Sequence, residues 1–192
     1  FPLLCAMIRV GLIGAGTHSL TCHAPALQRL EGIRAGALEL SAVCDRDGER
    51  ARAAAVRFGF RRSCNSIDEL FRGESLDALV VVVPVAVITG VTRHLLTRNL
   101  PLLIEKPLGR NREEAQDLAA AVSAAGMSDH IQMSFNRRFD PAVLRAHAWM
   151  ANASPIRRAH VRMVRHRRDE PDFLWATGIH VLDLANALCG PL

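Results

Sequence analysis

Residues 8–19, Ile-Arg-Val-Gly-Leu-Ile-Gly-Ala-Gly-Thr-His-Ser, contain the pattern that decides the fold of this chain. The part from 8 to 13 is almost entirely apolar, as expected for a strand that is buried on both faces of a sheet. Glycines at 14 and 16 then interrupt it, and a helical pattern follows over 26–30. The stretch therefore predicts a buried strand, a tight glycine turn and a helix in direct succession.

The alternation of strand and helix continues along the chain. The sequence predicts strands at 38–44, 78–83, 102–105 and 131–135, and helices at 47–58, 66–71, 87–98 and 111–125. Strands that alternate with helices of this length form parallel βαβ units. We therefore predict an α/β fold with a doubly wound parallel sheet.

The pattern changes beyond residue 136. A helix at 141–150, a basic strand-like stretch at 156–167 and an apolar helix at 178–188 predict the beginning of an α+β domain. One strand and a pair of helices cannot cover both faces of a sheet, so we expect this domain to be incomplete, to expose an apolar sheet face and to associate. The predicted division is a first domain at 7–126 and a second domain at 127–192.

Two glycines and an aspartate predict a dinucleotide site. Gly14 permits a tight turn and Gly16 lets a pyrophosphate approach the backbone at a helix N-terminus. The third glycine of this fingerprint is replaced by Ser19. Asp45 ends the second strand, where a carboxylate hydrogen-bonds the adenosine ribose and would repel a 2′-phosphate. This favours NAD, although the neighbouring Arg46 could accept that phosphate, so NADP stays open.

Lys106 is the only lysine among the 24 lysine and arginine residues. Either the chain uses arginine wherever a surface cation suffices, or this one position needs an ammonium group. An ammonium can release its proton when burial and neighbours lower its pKa, whereas a guanidinium cannot. The composition thus marks Lys106 as a candidate acid–base residue.

Composition excludes several classes of protein. The 5 cysteines are widely spaced without a C-x-x-C pair, which predicts reduced thiols and a cytoplasmic location. The 8 histidines lack the i, i+4 spacing of a helical metal site, so we predict no metal. No apolar run approaches the roughly 20 residues of a membrane span, so we predict no membrane partner. The arginine-rich stretch 157–168 lacks the interleaved aromatic residues of a nucleic-acid-binding surface, so we predict no nucleic-acid partner.

Six short motifs occur in order along this strand–helix alternation. They are Gly14-Ala15-Gly16 with 23–27 (His-Ala-Pro-Ala-Leu), Cys44-Asp45-Arg46, Pro84, Glu105-Lys106-Pro107, 135–141 (Phe-Asn-Arg-Arg-Phe-Asp-Pro), and 178–183 (Gly-Ile-His-Val-Leu-Asp). Together they resemble the glucose–fructose oxidoreductase/inositol dehydrogenase/MocA-like family over 8–190. The resemblance implies a Rossmann domain that binds NAD(P), a substrate domain, a small-molecule substrate and a homo-oligomer.

The resemblance also implies roles for individual residues. Lys106 would reach the nicotinamide ribose and the reacting hydroxyl, and Pro107 would follow a cis peptide bond. His180 would accept the hydroxyl proton. The implied cofactor-binding residues are Gly14, Gly16, Thr17, His18, Asp45, Arg46, Pro84, Glu105 and Lys106. The candidate substrate contacts are Arg137 and Asp183, of which Asp183 is also a candidate structural residue.

Two positions depart from the family pattern. Ala176 stands where an aspartate often precedes the catalytic histidine, and Ile88 stands where another histidine is often found. The chain also stops inside the expected substrate domain, which suggests a truncated enzyme. We therefore predict an oxidoreductase that transfers a hydride between a nicotinamide cofactor and a sugar, cyclitol or related hydroxy compound. The alternative is a dinucleotide-binding protein without catalysis.

Overall fold

The computed structural model describes residues 7–73, 75–150, 156, 158–166 and 172–190. The chain divides between Met133 and Ser134 into two compact units. The described residues of the first unit form six strands: β1 Ile8–Ile13, β2 Leu38–Cys44, β3 Arg62–Cys64, β4 Ala78–Val81, β5 Leu102–Ile104 and β6 Ile131–Met133. Its α-helices are α1 Ala24–Ile33, α2 Gly48–Phe58, α3 Ile67–Leu70, α4 Val85–Leu96 and α5 Arg112–Ala124.

All six strands form one sheet in the order β3-β2-β1-β4-β5-β6. Every neighbouring pair is parallel, and this order is that of the dinucleotide-binding doubly wound fold. The predicted α/β class and parallel sheet are confirmed. The order reverses between β1 and β4, and ligands of such sheets bind at the carboxyl ends of the strands at that point.

Two apolar cores cover the two faces of the sheet. Alternate residues of β1 enter different cores: Leu12 packs with Phe58 of α2, whereas Ile13 packs with Ile88 and Leu95 of α4. All five of these side chains are buried. Because both faces of the strand are covered, its sequence is continuously apolar instead of alternating.

Polar caps determine where several helices begin and end. The side chain of Asp47 accepts hydrogen bonds from two N–H groups in the first turn of α2, and Gly59 ends that helix with a φ of 84°. Ser66 caps α3 and Asn111 caps α5 in the same way. The predicted helix starts near these residues follow from this capping, which satisfies backbone donors that have no partner within the helix.

Two features of the first unit differ from the prediction. The three-residue edge strand β3 was not predicted, because Arg62 and Ser63 give it no apolar pattern and its pairing with β2 alone defines it. The division between the units lies after Met133, later than the predicted division at 126. The reason is that β6 pairs with β5 and so belongs to the sheet.

The described residues of the second unit form helices and helical turns. They are α6 Pro141–Met150 and α7 Ile179–Cys189, together with a 3-10 turn at Asn136–Phe139 and a π-helical turn at Leu174–Gly178. α6 buries none of its residues, and Trp149 is 74% exposed. The sequence predicted an exposed apolar sheet face for this part of the chain, whereas the exposed apolar residues of α6 lie on a helix.

The strand predicted at 156–167 is wrong for the described part of that stretch. Residues 156 and 158–166 form no strand, since the described part of the second unit offers no neighbouring strand with which they could pair. Arg157, Arg167 and Arg168 of the arginine-rich stretch lie outside the described residues. Within the described residues, no helix has the length and apolar character needed to cross a membrane.

Candidate functional site

A cavity of about 340 Å³ lies at the carboxyl ends of β1, β4 and β5. Three segments of the first unit line it: the glycine turn after β1, the segment that follows β4 and the segment that follows β5. Its lining residues are Gly16, Thr17, His18, Ser19, Val82, Val83, Pro84, Glu105 and Lys106. The cavity therefore brings together six of the nine residues predicted to bind the cofactor.

Glycine occurs at positions 14 and 16 of the turn for two different structural reasons. Gly14 has a φ of 99°, and a Cβ there would lie 2.0 Å from the Val82 carbonyl oxygen. Only glycine fits this position, because the close approach is to backbone that cannot move aside. A Cβ on Gly16 would meet no atom within 4 Å, and Gly16 lines the cavity. The space above it is thus open to a group approaching from the cavity, which fits a dinucleotide pyrophosphate.

Asp45 links the end of β2 to the glycine turn. Its Oδ2 accepts a hydrogen bond of 2.7 Å from the Ala15 N–H, and its Oδ1 accepts one of 2.9 Å from the Asp47 N–H. A carboxylate has about four acceptor sites, so these bonds orient Asp45 and leave capacity for a ribose hydroxyl. Arg46, the predicted alternative contact for a 2′-phosphate, is exposed beside it.

Two cysteine thiols lie behind Asp45. Cys44 and Cys64 are register partners at the ends of β2 and β3, and both are buried. Hydrogen bonding with Cys64 and burial raise the pKa of Cys44, so it is a neutral thiol at physiological pH. The four cysteines among the described residues are free thiols.

Lys106 follows β5 and is half-buried at the wall of the cavity. The peptide bond between Lys106 and Pro107 is cis, which confirms the expectation drawn from the resemblance. The Lys106 N–H donates a hydrogen bond of 3.0 Å to Oε2 of Glu105, whose side chain is only 10% exposed. The buried carboxylate thus holds the backbone of the lysine in place.

Two histidines converge on the other oxygen of Glu105. Nε2 of His23 lies 2.9 Å from Glu105 Oε1, and Nε2 of His18 lies 3.4 Å from the same oxygen. The two rings are edge to face with centroids 5.4 Å apart. His18 was predicted as a cofactor contact, whereas His23 was noted only as part of a motif, since its distance in sequence from Glu105 gave no sign of this contact.

In the second unit, His180 is half-buried on α7, and its ring packs edge to face against Phe135 with centroids 6.4 Å apart. Asp183, a candidate substrate contact, is buried and accepts hydrogen bonds of 3.0 and 2.8 Å from Nε of Arg138. These bonds raise the pKa of Arg138. The geometry supports the structural role that was the alternative for Asp183.

Arg138 is the residue that the sequence analysis missed in this unit. Arg137 was predicted as a substrate contact, and it is exposed. Its neighbour Arg138 reaches the buried carboxylate of Asp183 and also stacks over the Phe135 ring at 5.7 Å. Two adjacent arginines cannot be distinguished by their sequence, because only the turn at Asn136–Phe139 decides which one faces α7.

A family model described as an oxidoreductase family with an NAD-binding Rossmann fold matches residues 8–131. This chain belongs to that family, the glucose–fructose oxidoreductase/inositol dehydrogenase/MocA family. The membership agrees with the sheet order and the glycine turn, and it supports NAD as the cofactor. The resemblance proposed from the six motifs is therefore confirmed.

Proteins of similar sequence or structure include inositol dehydrogenases. An inositol 2-dehydrogenase of Corynebacterium glutamicum is 31% identical over 134 residues, which cover 70% of this chain and 38% of that protein. A putative myo-inositol dehydrogenase of Sinorhizobium meliloti has a TM-score of 0.75 at 25% identity, covering 97% of this chain and 56% of that structure. An NAD-binding oxidoreductase of Klebsiella pneumoniae has a TM-score of 0.77 at 22% identity, covering 96% and 54%.

The chain spans about half the length of these solved structures, and its match covers less than half of the curated relative. The likeness to the curated relative extends over 134 residues. The family model ends at residue 131, close to the end of β6. The part of the chain that the family model matches is therefore the unit that holds the cavity.

Proposed function

We propose that this chain is the cofactor-binding part of an oxidoreductase that transfers a hydride between NAD and a sugar, cyclitol or related hydroxy compound. The observation that carries the proposal is the cavity in which the glycine turn and Lys106 meet. NAD, when bound, supplies the hydride acceptor or donor. The names of the relatives support a cyclitol as the first substrate to examine.

In the first unit, some residues would bind the cofactor and another would exchange the substrate proton. The N–H groups of the turn and the open face of Gly16 would hold the pyrophosphate, and Asp45 would accept from the ribose. The ammonium of Lys106 would polarise the substrate oxygen and exchange its proton. His180 remains a proposed proton acceptor on the strength of its motif, and Arg137 a proposed substrate contact. We further propose that the second unit begins the substrate domain.

The test is a Lys106→Arg variant, which keeps the positive charge and removes an exchangeable proton. We expect NADH still to bind, because the glycine turn and Asp45 are unchanged, while kcat for myo-inositol falls at least about 100-fold, the usual contribution of acid–base catalysis. NADH fluorescence and initial rates measure the two effects. Arg112→Lys, on the exposed first turn of α5, is the control and should leave both values unchanged. Undiminished turnover in Lys106→Arg would contradict the proposed role.

The second candidate is a dinucleotide-binding protein without catalysis. Ala176 favours it, because a methyl group cannot supply the carboxylate that the family often places before the histidine. This candidate predicts that NADH binds with saturation while a panel of sugars, cyclitols and hydroxy acids gives no turnover with NAD or NADP. Turnover of any member of the panel excludes it.

A further inference from the structure

His18, His23 and Glu105 form a compact cluster at the edge of the cavity, which we call the histidine–glutamate cluster. One imidazole nitrogen from each histidine and one carboxylate oxygen all lie within 4.8 Å of one another. Among the described residues, this is the only group of three histidine, cysteine or acidic side chains with that arrangement. The prediction of no metal rests on the absence of histidines spaced four residues apart.

A π-helical turn brings the two histidines together without the i, i+4 spacing of an α-helical metal site. The turn runs from Ser19 to His23, and the Ala24 N–H donates to the Ser19 carbonyl five residues earlier. In such a turn, residues five apart lie on the same face, whereas an α-helix would place Cys22 above His18. His18 and His23 are five apart, so the turn itself brings their rings together. Single π-helical turns of this kind are frequent at functional sites.

We propose that the histidine–glutamate cluster binds a divalent transition metal ion of the Zn²⁺ class. Two imidazoles and one carboxylate are the protein ligands of many zinc sites that keep one position open. Tetrahedral zinc ligands at about 2.0–2.1 Å from the metal lie about 3.3 Å from one another. The distances of 2.9 and 3.4 Å from Glu105 Oε1 to the two histidine nitrogens are close to that value.

Neighbouring groups orient the side chains of the cluster in a way that suits ion binding. Glu105 Oε2 accepts the Lys106 N–H, which leaves Oε1 directed at the histidines. The side chains of His23 and Glu105 are only 14% and 10% exposed, so they form the fixed half of the site. The side chain of His18 is 58% exposed and can adjust to close the site around an ion. Because His18 and Glu105 line the cavity, water there can supply a fourth ligand.

The experiment uses the full chain without a histidine tag and adds Co²⁺ alone as a spectroscopic probe. We expect one equivalent to give visible d–d bands of a nitrogen–oxygen site, and Zn²⁺ to displace it. His18→Ala, which alters an exposed side chain, should weaken binding at least about tenfold, since loss of a group behind a ligand already costs about 10- to 100-fold. His23→Gln should have the same effect, and circular dichroism should show both variants folded.

Two control variants show whether Co²⁺ binds at the histidine–glutamate cluster or at other side chains. His94→Ala removes an exposed histidine that lies 3.7 Å from Asp68, outside the cluster, and should leave Co²⁺ affinity unchanged. Cys22→Ser removes the exposed thiol of the same π-helical turn and should also leave it unchanged. Failure of Co²⁺ and Zn²⁺ to bind, or binding that is as tight in His18→Ala as in the unmodified chain, would overturn the proposal. Because neither nucleotide nor substrate is present, these outcomes do not test the proposed oxidoreductase function.

Discussion

Gly14 shows how a single residue can control both fold and site. A Cβ at this position would lie 2.0 Å from the Val82 oxygen and 2.8 Å from its carbonyl carbon. The glycine turn therefore packs directly against the backbone that follows β4, which is also part of the cavity wall. Gly16, two residues later, has no such contact. The two glycines thus serve folding and ligand approach separately.

We predict that Gly14→Ala lowers the free energy of unfolding by at least about 3 kcal/mol, because it adds both a steric clash and an unfavourable φ. Gly16→Ala should leave stability nearly unchanged and weaken NADH binding, since its new methyl group would occupy the space proposed for the pyrophosphate. Urea unfolding and NADH fluorescence measure the two effects. Equal stability of the two variants would contradict the steric explanation.

Pairing between elements fixes the start of β1. Arg9 donates to Oδ2 of Asp77 through its backbone N–H at 2.8 Å and through its Nε at 2.9 Å. A third bond of 3.0 Å joins the Arg9 guanidinium to Oδ1. These bonds connect β1 with the residue that precedes β4, its neighbour in the sheet. They lower the pKa of Asp77 below its ordinary value of 3.8.

We predict that Asp77→Asn lowers the free energy of unfolding at pH 7 by about 0.5–1 kcal/mol, the range of a partly exposed ion pair with good geometry. Because the pKa of Asp77 is lower in the folded state, its stabilisation is present at neutral pH and is lost as the pH falls through that lowered pKa. The difference between the two proteins should therefore shrink at acidic pH, below 3.8. Urea unfolding across this pH range measures it, since urea is uncharged and does not screen the ion pair.

Glu49→Gln is the matched control for that prediction. Glu49 also pairs with an arginine, Arg52, but both side chains are largely exposed. Exposed pairs of this kind contribute little to stability. Glu49→Gln should thus shift the urea midpoint of unfolding less than Asp77→Asn does at pH 7. A difference between Asp77→Asn and the unmodified chain that does not change with pH would contradict the ion-pair explanation.

At the scale of the whole molecule, the cavity belongs entirely to the first unit. Each residue that lines it precedes Met133, and the sheet is completed by the pairing of β6 with β5. Met127 precedes β6 and is 1% exposed. We therefore expect a chain of residues 7–133 to contain everything that the first unit needs to fold and to bind NADH.

We predict that the 7–133 chain unfolds cooperatively and binds NADH with the affinity of the full chain. A chain that ends at 126 lacks both Met127 and β6, and burial of a methionine alone contributes about 1.5–3 kcal/mol. We expect the shorter chain to lose at least about 2 kcal/mol of stability. Urea unfolding of both chains measures this difference. Equal midpoints would show that β6 is dispensable for the first unit.

The local sequence predicted most of the first unit because short-range physics decides it. The strands at Ile8–Ile13 and Leu38–Cys44 are continuous apolar segments, and Asp47 and Gly59 start and end a helix by local hydrogen bonding and a positive φ. Lys106 stood out by composition, and the structure places it at the cavity. The strand and helix boundaries depend on residues that are near one another in the chain, whereas the position of Lys106 at the cavity depends on the sheet.

The remaining features depend on long-range pairing and on local helix geometry, neither of which a pattern in the sequence reveals. The edge strand β3 exists because its backbone pairs with β2, and Asp183 is bound by Arg138 instead of its neighbour Arg137. The approach of His18 and His23 to Glu105 required a π-helical turn and a parallel sheet that sets β5 two strands from β1. The sequence by itself determined the fold class and the glycine turn, because these follow from apolar patterning and from the backbone freedom of glycine. Only the tertiary structure decided which polar groups meet, because such contacts join residues that are far apart in the chain.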